Sequence, residues 1–150
     1  TIYLAMTLGA FACVLSMRRA DEGMVEDIAD LSGLMKTKPW MATAFTLLLF
    51  SLAGIPPLVG FFGKFYVFLA AVEADLIPLA VIGVLSSAVG AFYYLRIIKV
   101  MMFDEPTDRF EPMAGELRVV LAVTGAFTIL FFLVWTPILS GATAAAKSLF

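Results

Sequence analysis

Four long apolar runs, set apart by clusters of charge, leave this chain little choice of fold. They extend from Ile2 to Met17, Trp40 to Val72, Leu76 to Phe103 and Leu117 to about Leu139. A helix rising 1.5 Å per residue needs roughly 20 apolar residues to cross ~30 Å of hydrocarbon. In lipid every backbone N–H and C=O must find its partner inside the segment, which leaves helix for such uninterrupted runs. The period-two alternation of a membrane barrel is absent. The expected class is all-α and polytopic, with four transmembrane helices in one membrane segment over residues 1–150. The first run is shorter than the others and no initiator Met precedes it, so a piece of a longer subunit is expected.

Composition closes other routes. Hydrophobic residues make up 62% of the chain and charged residues 15%, against about 45–50% and about 25% in soluble domains. A mean hydropathy of +1.00 is more apolar surface than a soluble domain of this size can hide from water. A net charge of -2 supplies no basic field for nucleic acid. There is no histidine, and the single cysteine, Cys13, has no disulfide partner in the chain. Zinc held by His and Cys, His-ligated haem and a Ser-His-Asp triad are therefore outside its reach. With no phosphate-binding glycine loop, cysteine cluster or flavin motif, no cofactor is expected on this chain.

Lysine and arginine set the orientation. Arg18, Arg19, Lys36 and Lys38 lie between the first and second runs, and Arg96, Lys99, Arg109 and Arg118 flank the third-to-fourth connection. The second-to-third turn carries only Glu73 and Asp75, and the tail only Lys147. The positive-inside rule puts the basic connections in the cytoplasm and the acidic turn and C-terminus on the opposite side. In the first loop, Val25, Ile28, Leu31 and Leu34 recur at helical spacing among Glu26, Asp27 and Asp30. They predict a surface helix resting one apolar edge on the membrane or the protein, with a docking face for a partner subunit as the alternative; an acidic helix suits anionic lipid badly, which favours protein. On the third run, Gly83 with Ser87 and Ser86 with Gly90 form two small-xxx-small pairs for close helix packing. Tyr93 and Tyr94, ahead of Arg96 and Lys99, anchor that run at the interface.

One charge stands apart. Lys64 falls midway along the second half of the longest apolar run, and its nearest acid in sequence is Glu73. Snorkelling would have to cover about 13 Å at 1.5 Å per residue, beyond a lysine stem. A mid-membrane charge costs at least ~2.5–3.5 kcal/mol, so the amine is wanted for its charge. The same run would be about 50 Å long as one straight helix. Near its centre stand Gly54, Ile55, Pro56 and Pro57. Two prolines remove two amide donors, Pro57 pushes Pro56 out of the α region, and Gly54 permits angles other residues resist. Two half-helices, about Trp40–Ala53 and Leu58–Val72, are expected, joined by unwound peptide. Unwound backbone at membrane depth is tolerated where protein buries it or it lines a watery cavity. A broken helix beside an ionisable side chain is the pattern of an ion pathway. Desolvation disfavours the charged form of an amine, and an amine, unlike a guanidinium, can release its proton.

The segment from Phe50 to Tyr66, FSLAGIPPLVGFFGKFY, closely resembles the broken-helix signature of the antiporter-like subunits of respiratory complex I. Its Gly-Lys-Phe-Tyr ending is most similar to the subunit N branch of the bacterial NADH-quinone oxidoreductases, the counterparts of mitochondrial subunit 2. Flanking matches are Thr7 to Phe11, Gly33-Leu34, Lys38-Pro39-Trp40 and Tyr93 to Arg96. The resemblance implies two inverted helical repeats with outer helices, of which these spans would be the last four. It implies that Lys64 serves a half-channel to the outer face, with the other proton-handling residues lying before Thr1. It further implies other complex I membrane subunits, the preceding helices and the bilayer as partners. Flavin and iron-sulfur clusters would reside in partner subunits, where NADH oxidation and quinone reduction supply the drive. The expected location is the bacterial inner membrane, with mitochondrial inner or plastid membranes as alternatives. Two other functions stay open: a subunit of a multi-subunit cation/proton antiporter, or a membrane scaffold holding Lys64 in a static ion pair.

Overall fold

The computed structural model describes residues 2–19, 23–24, 27–106 and 114–147. Helix α1 (Ile2–Leu15) leads into a two-stranded antiparallel hairpin, β1 (Arg18–Arg19) with β2 (Gly23–Met24), in which Arg18 pairs with Met24. A 3₁₀ turn (Ile28–Leu31) and the single turn α2 (Leu34–Thr37) complete the loop. Then come α3 (Pro39–Ala53), α4 (Val59–Glu73), α5 (Ile77–Phe103) and α6 (Gly115–Lys147). Pro39 sits in the first turn of α3 and Pro78 in that of α5, where a missing N–H costs nothing. Helix α6 continues about two turns beyond the expected end near Leu139. Pro137 does not stop it.

The loop corrects one expectation. The spacing of Val25, Ile28, Leu31 and Leu34 predicts one surface helix, but the chain makes two short turns instead (Val25 lies outside the described residues). Gly33 is the reason. It adopts φ 65°, donates its N–H to the Val100 carbonyl at 3.3 Å, and lies so close to the Pro106 backbone that a side chain would strike it. Leu31 and Leu34 still turn inward, onto the bundle's own core.

That core joins Cys13 and Met17 to Met41, Phe45, Leu48 and Leu49 of α3, Ile98 and Met101 of α5, and Leu121 of α6. A second, smaller cluster gathers Met6, Val59 and Phe131 where α4 begins. Gly9 brings α1 hard against Thr124 of α6, leaving no room for a Cβ. Thr124 and Thr128 turn their hydroxyls back onto carbonyls of their own helix, the usual way such groups are satisfied in an apolar setting. The outward faces of α4 and α5 stay apolar and uncovered, with Val67, Ile82 and Leu85 all more than half exposed. A water-soluble protein rarely shows apolar patches beyond a few hundred Å². Lipid or a neighbouring subunit is the natural medium for these faces.

Candidate functional site

Helix α3 ends at Ala53 because Gly54 takes the left-handed conformation, φ 88°. The Gly54 N–H bonds the Ser51 carbonyl at 3.0 Å and the Ile55 N–H bonds the Phe50 carbonyl at 3.1 Å. This is the Schellman arrangement, and it consumes two of the last carbonyls of α3. The Ala53 carbonyl is left over at the negative end of the helix dipole. Pro56 and Pro57, joined by a cis peptide, carry the chain onward without offering a donor. Leu58 is extended, and α4 starts at Val59.

The start of α4 has the opposite need, because its first N–H groups lack helical acceptors. Leu58, at the capping position, has no side-chain oxygen to offer. Ser51 of α3 supplies one from across the break: the Gly60 N–H donates to Ser51 Oγ at 3.0 Å. The Ser51 hydroxyl in turn donates to Met6 Sδ at 2.9 Å, so this fully buried group is satisfied on both sides. The approach requires glycine, since a Cβ at position 60 would run into the Ser51 carbonyl.

Lys64 completes the exchange from the other side. Four residues beyond Gly60, it shares a face of α4 with that glycine. Its stem passes over Gly54, where a built Cβ would lie 3.1 Å from the lysine Cδ. The amine then donates to the Ala53 carbonyl at 3.1 Å and to Ser87 Oγ of α5 at 2.7 Å. Each of these two helices thus caps the other. Ser51 of α3 holds the N-terminus of α4, and Lys64 of α4 holds the C-terminus of α3. Both partners of the amine are neutral, and the side chain is half-buried among the described residues rather than fully enclosed.

Of the sequence-predicted residues, Gly54 and Lys64 meet directly, while Pro56 and Pro57 lie in the link between α3 and α4. Gly83 packs against the Phe68 ring of α4, and Ser87 on the same face reaches Lys64. Ser86 is exposed, and a Cβ built at Gly90 meets nothing within 4 Å, so the second small pair lies away from α4. The sequence reading gave Ser51 no role. Its serine sits among apolar residues nine positions before a glycine, and only the fold turns that spacing into a cap.

Residues 1–90 match the family described as "NADH:quinone oxidoreductase/Mrp antiporter, TM". The chain is 56% identical over 149 residues to NADH-quinone oxidoreductase subunit N 1 of Rhizobium meliloti (strain 1021). It is 61% identical over 149 residues to NADH-quinone oxidoreductase subunit N of Azorhizobium caulinodans. Both matches cover 99% of this chain and 31% of the relative, so the chain spans about a third of their length. Among solved structures, respiratory complex I from Thermus thermophilus with bound aureothin matches with a TM-score of 0.74 at 30% identity. That match covers 89% of this chain and 31% of the other.

Proposed function

The chain belongs to the NADH:quinone oxidoreductase/Mrp antiporter transmembrane family, and from that membership we propose that it is the C-terminal part of a complex I subunit N. In this reading it conducts protons through the membrane arm while other subunits oxidise NADH and reduce quinone. Helix α1, the pair α3–α4, α5 and α6 are its four spans, and α3–α4 is one discontinuous crossing. Flavin and iron-sulfur clusters belong to partner subunits. Its neighbours are the other membrane subunits, the remaining helices of its own subunit and lipid, in a bacterial inner membrane.

One observation carries the reading: the Lys64 amine bridges a helix-end carbonyl and a hydroxyl at the break between two half-helices. The leftover carbonyl at the negative end of α3 faces the amine, and neither partner carries a charge that would fix its proton. A group held in this way can respond to charge arriving or leaving nearby. Neutral partners suit that role better than a static ion pair, which would hold the proton in place. The half-channel it serves opens toward the acidic turn at Glu73 and Asp75, the outer side by the charge rule.

The shared family description also favours a second reading, a cation/proton antiporter subunit. Inverted membrane vesicles carrying the full-length subunit in its complex separate the two. With sodium replaced by choline, NADH-driven acidification of the lumen is expected to continue at its full rate. Loss of acidification on sodium removal, with recovery on its return, would favour antiport.

A further inference from the structure

Building on the proton-conducting reading of Lys64, we infer that Ser87 of α5 is a second member of the proton-transfer site, the hydroxyl that follows the lysine through both of its protonation states. The inference starts from a difference between the two partners of the amine. The Ala53 carbonyl can only accept, whereas a serine hydroxyl accepts and donates. With Lys64 protonated, Nζ donates to both, as the 3.1 Å and 2.7 Å contacts describe. When the ammonium passes its proton to a water molecule of the half-channel, Nζ keeps two N–H groups and gains a lone pair. Ala53 still takes an N–H. Ser87 rotates its O–H and donates it to that lone pair. No other side chain is hydrogen-bonded to the amine among the described residues.

The position of Ser87 fits this role. The Gly83–Phe68 contact one turn earlier holds α5 against α4 and fixes the distance between hydroxyl and amine. The titratable groups of the surrounding elements are not hydrogen-bonded to the amine among the described residues. Helix α3 has none within Pro39–Ala53; α4 adds Tyr66 and Glu73, α5 has Tyr93, Tyr94, Arg96 and Lys99, α1 has Tyr3 and Cys13, and α6 has Glu116 and Arg118 in its first turn and Lys147 at its end. None of them is bonded to Nζ. Ser87 is therefore a packing residue and a chemical partner at once, a role that small-residue spacing alone does not reveal.

The test uses the assembled complex, with the full-length subunit, in inverted vesicles. Ser87→Ala, Ser87→Thr and Lys64→Ala are compared for protons pumped per NADH oxidised across a pH series. Ser87→Ala removes an acceptor whose bond to the charged amine is stronger than its bond to the neutral one. The ammonium loses more than the amine, so the alkaline limb of the pumping profile is expected to move down by about one pH unit. This subunit's share of the yield, measured as the part that Lys64→Ala loses, is expected to fall roughly threefold to tenfold at the optimum, the scale of one hydrogen bond. Ser87→Thr, which restores the hydroxyl, is expected to restore both. Where Ser87→Ala does not assemble, near-isosteric Ser87→Cys, a weaker hydrogen-bonding group, takes its place with the same direction of shift. If Lys64→Ala loses this subunit's share of pumping while Ser87→Ala keeps the wild-type yield and profile, the role of Ser87 is overturned and that of Lys64 stands. If Lys64→Ala pumps normally, the conducting reading itself fails.

Discussion

Lys64→Ala is expected to eliminate this subunit's share of proton pumping while the complex still assembles. Without the amine, a proton at mid-membrane has no basic group to rest on. The cost of placing a charge there is at least ~2.5–3.5 kcal/mol. At 1.36 kcal/mol per tenfold in rate, conduction through this route slows about a hundredfold. Assembly is a separate matter, because Ser51 and Gly60 also lock α3 to α4, and the alanine variant leaves that contact untouched. The variant does expose the Ala53 carbonyl, but Lys64 is only half-buried and water can take the vacated place. Native gels report assembly, and proton-to-NADH ratios in vesicles report pumping. A variant that assembles and pumps at the wild-type ratio contradicts the assignment. One that fails to assemble at all supports a scaffold role for the lysine.

Gly60→Ala is expected to be the more damaging change to structure. The added methyl meets backbone, the Ser51 carbonyl, and backbone cannot swing aside as a flexible side chain can. Overpacking a core commonly costs about 1–3 kcal/mol, and a clash with backbone belongs at or above the upper end. The two half-helices must separate, which also breaks the Gly60 N–H bond to Ser51. Ser51→Ala removes that bond and the one to Met6 Sδ without adding bulk, and strands a buried N–H, at a cost of about 1–3 kcal/mol. Thermal inactivation of the detergent-solubilised complex is expected to rank Gly60→Ala below Ser51→Ala, and both below wild type. A Gly60→Ala complex as heat-stable as wild type means the half-helices do not meet in this way.

Much of the architecture was legible in the sequence, for physical reasons. Lipid admits few folds, so long apolar runs report helices directly, and α5 follows its run almost residue for residue. Gly54 and the two prolines act through local backbone geometry, which is why the ends of α3 and α4 lie within a residue or so of where those residues place them. Lys64 stood out because a charge inside a long apolar run needs a reason. The first loop was harder to read, since the spacing of Leu31 and Leu34 is equally compatible with one helix or two turns. Only the contact of Gly33 with the Pro106 backbone, more than seventy residues along the chain, decides between them. The long-range partners were beyond reach for the same reason. Ser51 finds Met6 and Gly60, and Lys64 finds Ser87, through the packing of separate helices. No periodicity records such meetings.

The most direct measurement is the proton-to-NADH ratio of Lys64→Arg in the assembled complex. Arginine keeps a positive charge that can still donate to the Ala53 carbonyl and to Ser87, but it does not give up its proton at any accessible pH. If Lys64 works by releasing and regaining a proton, the arginine complex assembles with wild-type stability and its ratio falls as far as that of Lys64→Ala. A wild-type ratio with arginine in place shows that a fixed charge suffices, and that the proton does not pass through this residue.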